Sequence, residues 1–162
     1  MDSLVVGSIP TGLSSTLCTM TTEPPPEPPS EILDGKLFMG PHQLPGTLTG
    51  FDVVVGVSKQ RPIYPIDHPY AIVEHVPLED DGPPSPEERA AARSTAKLIN
   101  DHIDAGRRVF VGCTMGLNRS GWVVGLALRA RGLSGKEAIA LMRQRRSLQI
   151  LTNEFFERDV LR

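Results

Sequence analysis

The run Arg108-Val109-Phe110-Val111 stops at Gly112-Cys113, and from Ser120 the chain becomes apolar at helical spacing through Trp122, Val123, Val124, Leu126, Ala127 and Leu128 until Gly132. A β-branched strand, a short loop and an apolar helix in immediate succession admit few arrangements. The strand end and the helix start must meet across residues 113–119. The unpaired N–H groups and the positive end of the helix therefore converge on that loop. Cys113 opens it, Gly116 lies inside it, Arg119 closes it and Ser120 follows.

The remaining pattern predicts a strand at Lys36 to Gly40, a second at Phe51 to Val57, and a third from Tyr70 to Val76 that Pro77 ends. Ser85-Pro86-Glu87-Glu88 is a capping box with proline at the first helical position. Behind it Ala92, Ala96, Ile99 and Ile103 share one face, and Gly106 ends the helix. A second capping box, Ser134 with Glu137, opens a helix carrying Ala138, Ile139, Leu141 and Met142, and a last helix covers Asn153 to Leu161. Strands alternating with helices predict an α/β domain. No internal repeat is visible.

Residues 1–30 are poor core material, rich in Ser, Thr and Gly and ending in Glu23-Pro24-Pro25-Pro26-Glu27-Pro28-Pro29-Ser30. They are expected to be a disordered tail or a stiff linker, with the folded domain over residues 31–162. The net charge of -2 argues against a general nucleic-acid or membrane-surface binder. No apolar run approaches the roughly 18 residues of a membrane span, and the N-terminus lacks the basic start of a secretory signal. Two cysteines, Cys18 and Cys113, make no disulfide framework, so a reducing cytoplasm is expected. His42, His68, His75 and His102 have no metal-ligand spacing. No metal or cofactor is expected, and the chain is taken to be a monomer.

The loop's composition suits nucleophilic attack on a phosphate ester. The attacking group must be a thiolate, and a free thiol is only a few per cent ionised at pH 7. A position between strand end and helix start favours the anion, and the same N–H groups form a nest for phosphoryl oxygens. On this reading Thr114, Met115, Gly116, Leu117, Asn118 and Arg119 bind phosphate. Gly116 permits a turn that a Cβ would obstruct. The guanidinium of Arg119 can span two phosphoryl oxygens. Ser120 can donate to the Cys113 sulfur. The plain alternative is a small buried cysteine at a strand end.

Cys113 to Ser120 resembles the Cys-x5-Arg-Ser/Thr signature of the protein-tyrosine and dual-specificity phosphatase superfamily. The similarity runs over about residues 35–162 and includes Leu37-Phe38-Met39-Gly40, the Pro-x-x-Asp step from Pro77 to Asp80, and Asn153-x-Phe155. Asn118 before the arginine is like bacterial and phage members and the RNA 5′-triphosphatase branch. The resemblance implies a dual-specificity-phosphatase-like, mostly parallel central sheet flanked by helices, no metal, and a cysteinyl-phosphate intermediate. It also implies an aspartic acid on an upstream loop that protonates the leaving group, an effect of roughly 10²–10⁴-fold. Asp80 matches that pattern, with Asp81 as the alternate acid. The family usually has histidine before the nucleophile, and this chain has Gly112.

The implied substrates are phosphotyrosine with some phosphoserine and phosphothreonine in proteins or peptides. RNA 5′ phosphates and phosphoinositides are the alternatives, and Gly112 motivates a phosphate-binding pseudophosphatase. A cysteine-based sulfurtransferase or arsenate reductase is a further rival. Arg143, Arg145 and Arg146 are expected to be surface residues complementing a helix C-terminus, or else contacts for a polyanionic substrate. Trp122 is expected in the core, and Cys18 without a role.

Overall fold

The computed structural model describes residues 27–41, 48–60 and 71–162. The tail through residue 26, Cys18, His42, His68, Tyr70 and the prolines at 45, 62, 65 and 69 lie outside the described residues. Among the described residues five strands form one sheet in the order β1-β2-β5-β3-β4. They are β1 (Ser30–Leu33), β2 (Leu37–Pro41), β3 (Val53–Ser58), β4 (Ile72–Leu78) and β5 (Val109–Cys113). Only β1 is antiparallel to its neighbour; β2, β5, β3 and β4 run parallel. The helices are α1 (Pro86–Asp104), α2 (Arg119–Ala130), α3 (Gly135–Arg145) and α4 (Glu154–Leu161).

Alternation along the strands sorts the core into two faces. Leu37, Met39, Val53, Val55, Val57, Val109, Val111 and Cys113 join the buried residues of all four helices. Phe38, Val54 and Phe110 point the other way and pack with Leu48 and Phe51. Both capping boxes form as the sequence predicts, with Ser85 and Ser134 each accepting from the backbone three residues on. Trp122 is buried and stacks on Phe156 with ring centroids 4.3 Å apart.

Beyond shifts of one or two residues at the ends of β2 and β3, three differences from the sequence pattern have a physical cause. β1 is an additional strand, since Ser30-Glu31-Ile32-Leu33 is too short to signal itself and is defined by pairing with β2. β4 continues through Pro77 to Leu78 because it lies at the edge of the described sheet and Pro77 falls in an irregular register between the pairs Gly56–His75 and Ser58–Leu78, where its missing N–H costs little. β5 runs on to Cys113 because Gly112 and Cys113 stay in register with Gly40 and Pro41 of β2.

Candidate active site

In an open parallel sheet, ligand crevices form beyond the C-terminal strand ends. Here β3, β4 and β5 release their following segments at one edge. Ser58 at the end of β3 with Lys59 and Gln60 beyond it, Glu79, Asp80 and Asp81 after β4, and Thr114 and Arg119 after β5 line a cleft of about 340 Å³. The sequence-predicted cysteine loop and acidic loop are thus brought together by the sheet, although over thirty residues separate them.

Cys113 is 2% exposed, and its Sγ lies 3.3 Å from Ser120 Oγ. Gly116 has φ +65°, and a Cβ there would stand 2.1 Å from the backbone of Gly40. Glycine is therefore required twice, for its conformation and for close approach to the end of β2. The loop's carbonyls are engaged on its outer side. Met115 O and Gly116 O accept from Arg146, Leu117 O accepts from Leu151 N–H at 3.4 Å, and Asn118 O accepts from Trp122 N–H at 2.8 Å. No acidic residue occupies the first turn of α2, so its positive end is not compensated from within the helix. Arg119 donates from Nη2 to Thr114 Oγ1 at 3.1 Å and from Nη1 to Leu78 O at 3.2 Å. Its Nε is buried and has no hydrogen-bond partner among the described residues.

The side chain of Asn118 reaches from the loop to the Asp80 segment and to Thr152 and Asn153. It sits at the N-cap of α2 without capping it. Its Nδ2 donates to Asp80 Oδ2 at 3.4 Å, while its Oδ1 accepts from Thr152 Oγ1 at 3.1 Å and Asn153 N–H at 3.0 Å. Asn153 Oδ1 accepts from Phe155 N–H and caps α4, while its Nδ2 donates to Asp80 O at 3.1 Å and to Asp80 Oδ1 at 3.4 Å. Two asparagines thus hold the Asp80 segment against the cysteine loop. Asp81 is exposed beside them.

α1 and α4 fix the position of this frame. Glu88 completes the α1 capping box through Oε2 and uses Oε1 to accept from Glu79 N–H at 3.0 Å. Those two N–H groups hold its carboxyl below the usual glutamate range. Glu79 pairs with Lys59 at 2.6 Å, which raises the lysine pKa. The buried carboxylate of Asp159 on α4 accepts from Arg89 and Arg93 of α1 and from Trp122 Nε1 of α2 at 2.9 Å. Among the described residues no group of His, Cys, Asp and Glu is arranged to hold a metal ion.

Two features escaped the sequence. Arg146 is not a surface residue: its side chain is 4% exposed and reaches Gly116 O and Met115 O at 2.9 and 3.2 Å. Nothing in Arg143-Gln144-Arg145-Arg146 distinguishes it from its neighbours; Arg143 pairs with Glu157 and Arg145 with Asp34. The second feature is the space above Gly112. Gly40, Gly112 and Gly56 form a row across three neighbouring strands, and the Phe110 ring lies over Gly112.

A mostly parallel sheet with a cysteine–arginine loop at its C-terminal edge defines a cysteine-phosphatase fold. The chain belongs to the family described as "Dual specificity phosphatase, catalytic domain", whose profile matches residues 44–162. The solved structure of human DUSP28 is similar, with a TM-score of 0.69 and 25% identity over 85% of this chain and 95% of that one. The structure of Tk-PTP in the active form has a TM-score of 0.65 and 26% identity, covering 82% of this chain and 92% of that one. A mouse putative dual specificity phosphatase complexed with zinc tungstate has a TM-score of 0.70 and 23% identity, over 90% and 92% of the two chains. No curated protein sequence matches. No described helix is long and apolar enough to cross a membrane.

Proposed function

We propose that the protein hydrolyses phosphate monoesters through a cysteinyl-phosphate intermediate. The observation that carries this reading is a buried Cys113, its sulfur against Ser120 Oγ, opening a loop whose carbonyls are held by Arg146, Leu151 and Trp122 and whose closing arginine keeps one buried donor unpaired among the described residues. A buried donor without an acceptor costs about 1–3 kcal/mol, and a phosphoryl oxygen would satisfy Arg119 Nε. Residues 114–119 cradle the phosphate. The Cys113 thiolate attacks phosphorus, the P–O bond to the leaving group breaks, and Asp80 gives its proton to the departing oxygen. Water then attacks the phosphocysteine while Asp80 takes its proton. The P–S bond breaks, inorganic phosphate forms, and Ser120 donates to the returning thiolate.

Asp80 is preferred over Asp81 as the acid because Asn118 and Asn153 hold it at the loop. Phosphotyrosine, with phosphoserine and phosphothreonine, is the proposed substrate class. Glu79, Asp80 and Asp81 line the same cleft against a single Lys59 beyond Arg119, which disfavours RNA 5′ ends and phosphoinositides with their extra phosphates. Residues 31–162 are proposed as the body of the catalytic domain, acting as a monomer in the cytoplasm; the expected boundary after residue 30 falls inside β1, and Glu27 lies against the domain, so the proposed tail is the part of residues 1–30 that precedes Glu27.

The test compares wild type with Cys113→Ser, Asp80→Asn and Asp81→Asn on aryl phosphates, phosphopeptides and 5′-triphosphorylated RNA. Activity surviving Cys113→Ser would remove the mechanism. Greater damage from Asp81→Asn than from Asp80→Asn would reassign the acid. Phosphopeptide binding without turnover by wild type would make the chain a pseudophosphatase.

A further inference from the structure

The outer carbonyls of the cysteine loop depend on an arginine that is itself held from outside the site. Arg146 follows α3, and its Nε and Nη2 donate to Gly116 O and Met115 O. On its far side Nη1 donates to Ser30 Oγ at 3.3 Å, and Nη2 donates to Glu27 Oε2 at 2.8 Å. Ser30 opens β1, and Glu27 precedes it across Pro28 and Pro29. We propose that Glu27 and Ser30 are positioning residues for the phosphate loop, acting through Arg146. The proposal rests on reading residues 113–119 as a phosphate cradle, as above.

The physical need arises from the loop's polarity. A turn that directs N–H groups inward directs carbonyls outward, and those carbonyls need donors to stay in place. Residue 112, just before the loop, supplies no side chain, because it is glycine and the Phe110 ring fills the space above it. A planar guanidinium can bridge two carbonyls, but only if its own orientation is fixed. A carboxylate and a hydroxyl fix it here. The two prolines between them restrict the backbone and lower the entropy lost in presenting both partners together.

Glu27 also gives the proposal a sign. If it acted on the site only by charge, its removal would leave the region more positive and anions would bind more tightly. If it positions Arg146, its removal loosens the loop and anions bind more weakly. The test uses the full chain, with inorganic tungstate affinity by calorimetry and amide hydrogen exchange of residues 114–118. Glu27→Gln and Ser30→Ala are each expected to weaken tungstate by about 3- to 10-fold, and Arg146→Ala by about 100-fold, as for loss of hydrogen bonds to a charged group. Exchange should quicken in the loop and stay unchanged in β3. Arg146→Lys should restore only part of the affinity, because one ammonium cannot reproduce the fork. In an Arg146→Ala background, Glu27→Gln should have no further effect.

Tighter or unchanged tungstate binding by Glu27→Gln, or an additive effect in that background, overturns the proposal. Exchange that quickens equally in β3 also overturns it, by showing general destabilisation. A wild type that binds no tungstate contradicts the phosphate-cradle reading instead. Loop exchange in Glu27→Gln and Ser30→Ala then decides the clamp alone.

Discussion

The Phe110 ring lies where a Cβ on Gly112 would have to go, with Cε1 2.7 Å from the ideal position. Phe110 is fully buried among Phe38, Leu48, Phe51 and Val54, so moving the ring disturbs that cluster. Introducing the family's usual histidine here therefore overpacks the core. Gly112→His should lose about 1–3 kcal/mol of stability, measured as a lower urea midpoint, and should not raise turnover. A variant as stable as wild type and faster would show that the ring moves aside.

Asn118 ties the cysteine loop to the Asp80 segment through its amide. Asn118→Ala should leave phosphate affinity nearly intact and lower kcat by about 10-fold, part of the worth of a positioned acid. The loss should be greatest for alkoxide leaving groups and least for nitrophenolate, which departs without a proton. An equal loss for both would place Asn118 in phosphate binding instead.

Glu88 links the α1 cap to Glu79, and its carboxyl titrates below the ordinary range because two backbone N–H groups favour the anion. A lowered folded-state pKa contributes stability above the unfolded value, about 4.3, and that contribution disappears as pH falls through the folded value. Wild type should therefore be more stable than Glu88→Gln at pH 6, and the difference should shrink below about pH 4. Urea denaturation of both proteins across pH 3–6 checks this, and a difference that grows with acidity contradicts it.

Asp159 is buried against Arg89, Arg93 and the Trp122 indole, and joins three helices. Breaking such a group costs about 3–5 kcal/mol; the partial exposure of both arginines places Asp159→Ala towards the lower end. Asp159→Asn should recover much of the loss, since it still accepts from the indole. Thermal unfolding of the two variants makes the comparison. Equal Tm values would show that the carboxylate's charge, rather than its acceptor geometry, holds α4.

Much of the molecule was legible in one dimension. The sequence by itself determined both capping boxes, because a cap depends on residues three apart. It determined the strand–loop–helix order around Cys113, the glycine at 116 and the arginine at 119, because a tight strand-to-helix loop is a local object. Tertiary structure decided what depends on residues distant in the chain. β1 is defined by its pairing with β2, and Pro77 is accommodated in β4 because β4 is the edge of the described sheet and its register with β3 is irregular there. Asp80 and Asp81 are adjacent carboxylates in the sequence, and the folded positions of Asn118 and Asn153 distinguish them. Arg146 looks like its neighbours until α3 packs beside β1 and brings it between Glu27 and the cysteine loop. Gly112 reads as a missing histidine until Phe110 is seen above it. Local hydrogen-bond geometry is encoded by spacing, whereas burial and long-range pairing depend on which surfaces the finished fold brings together.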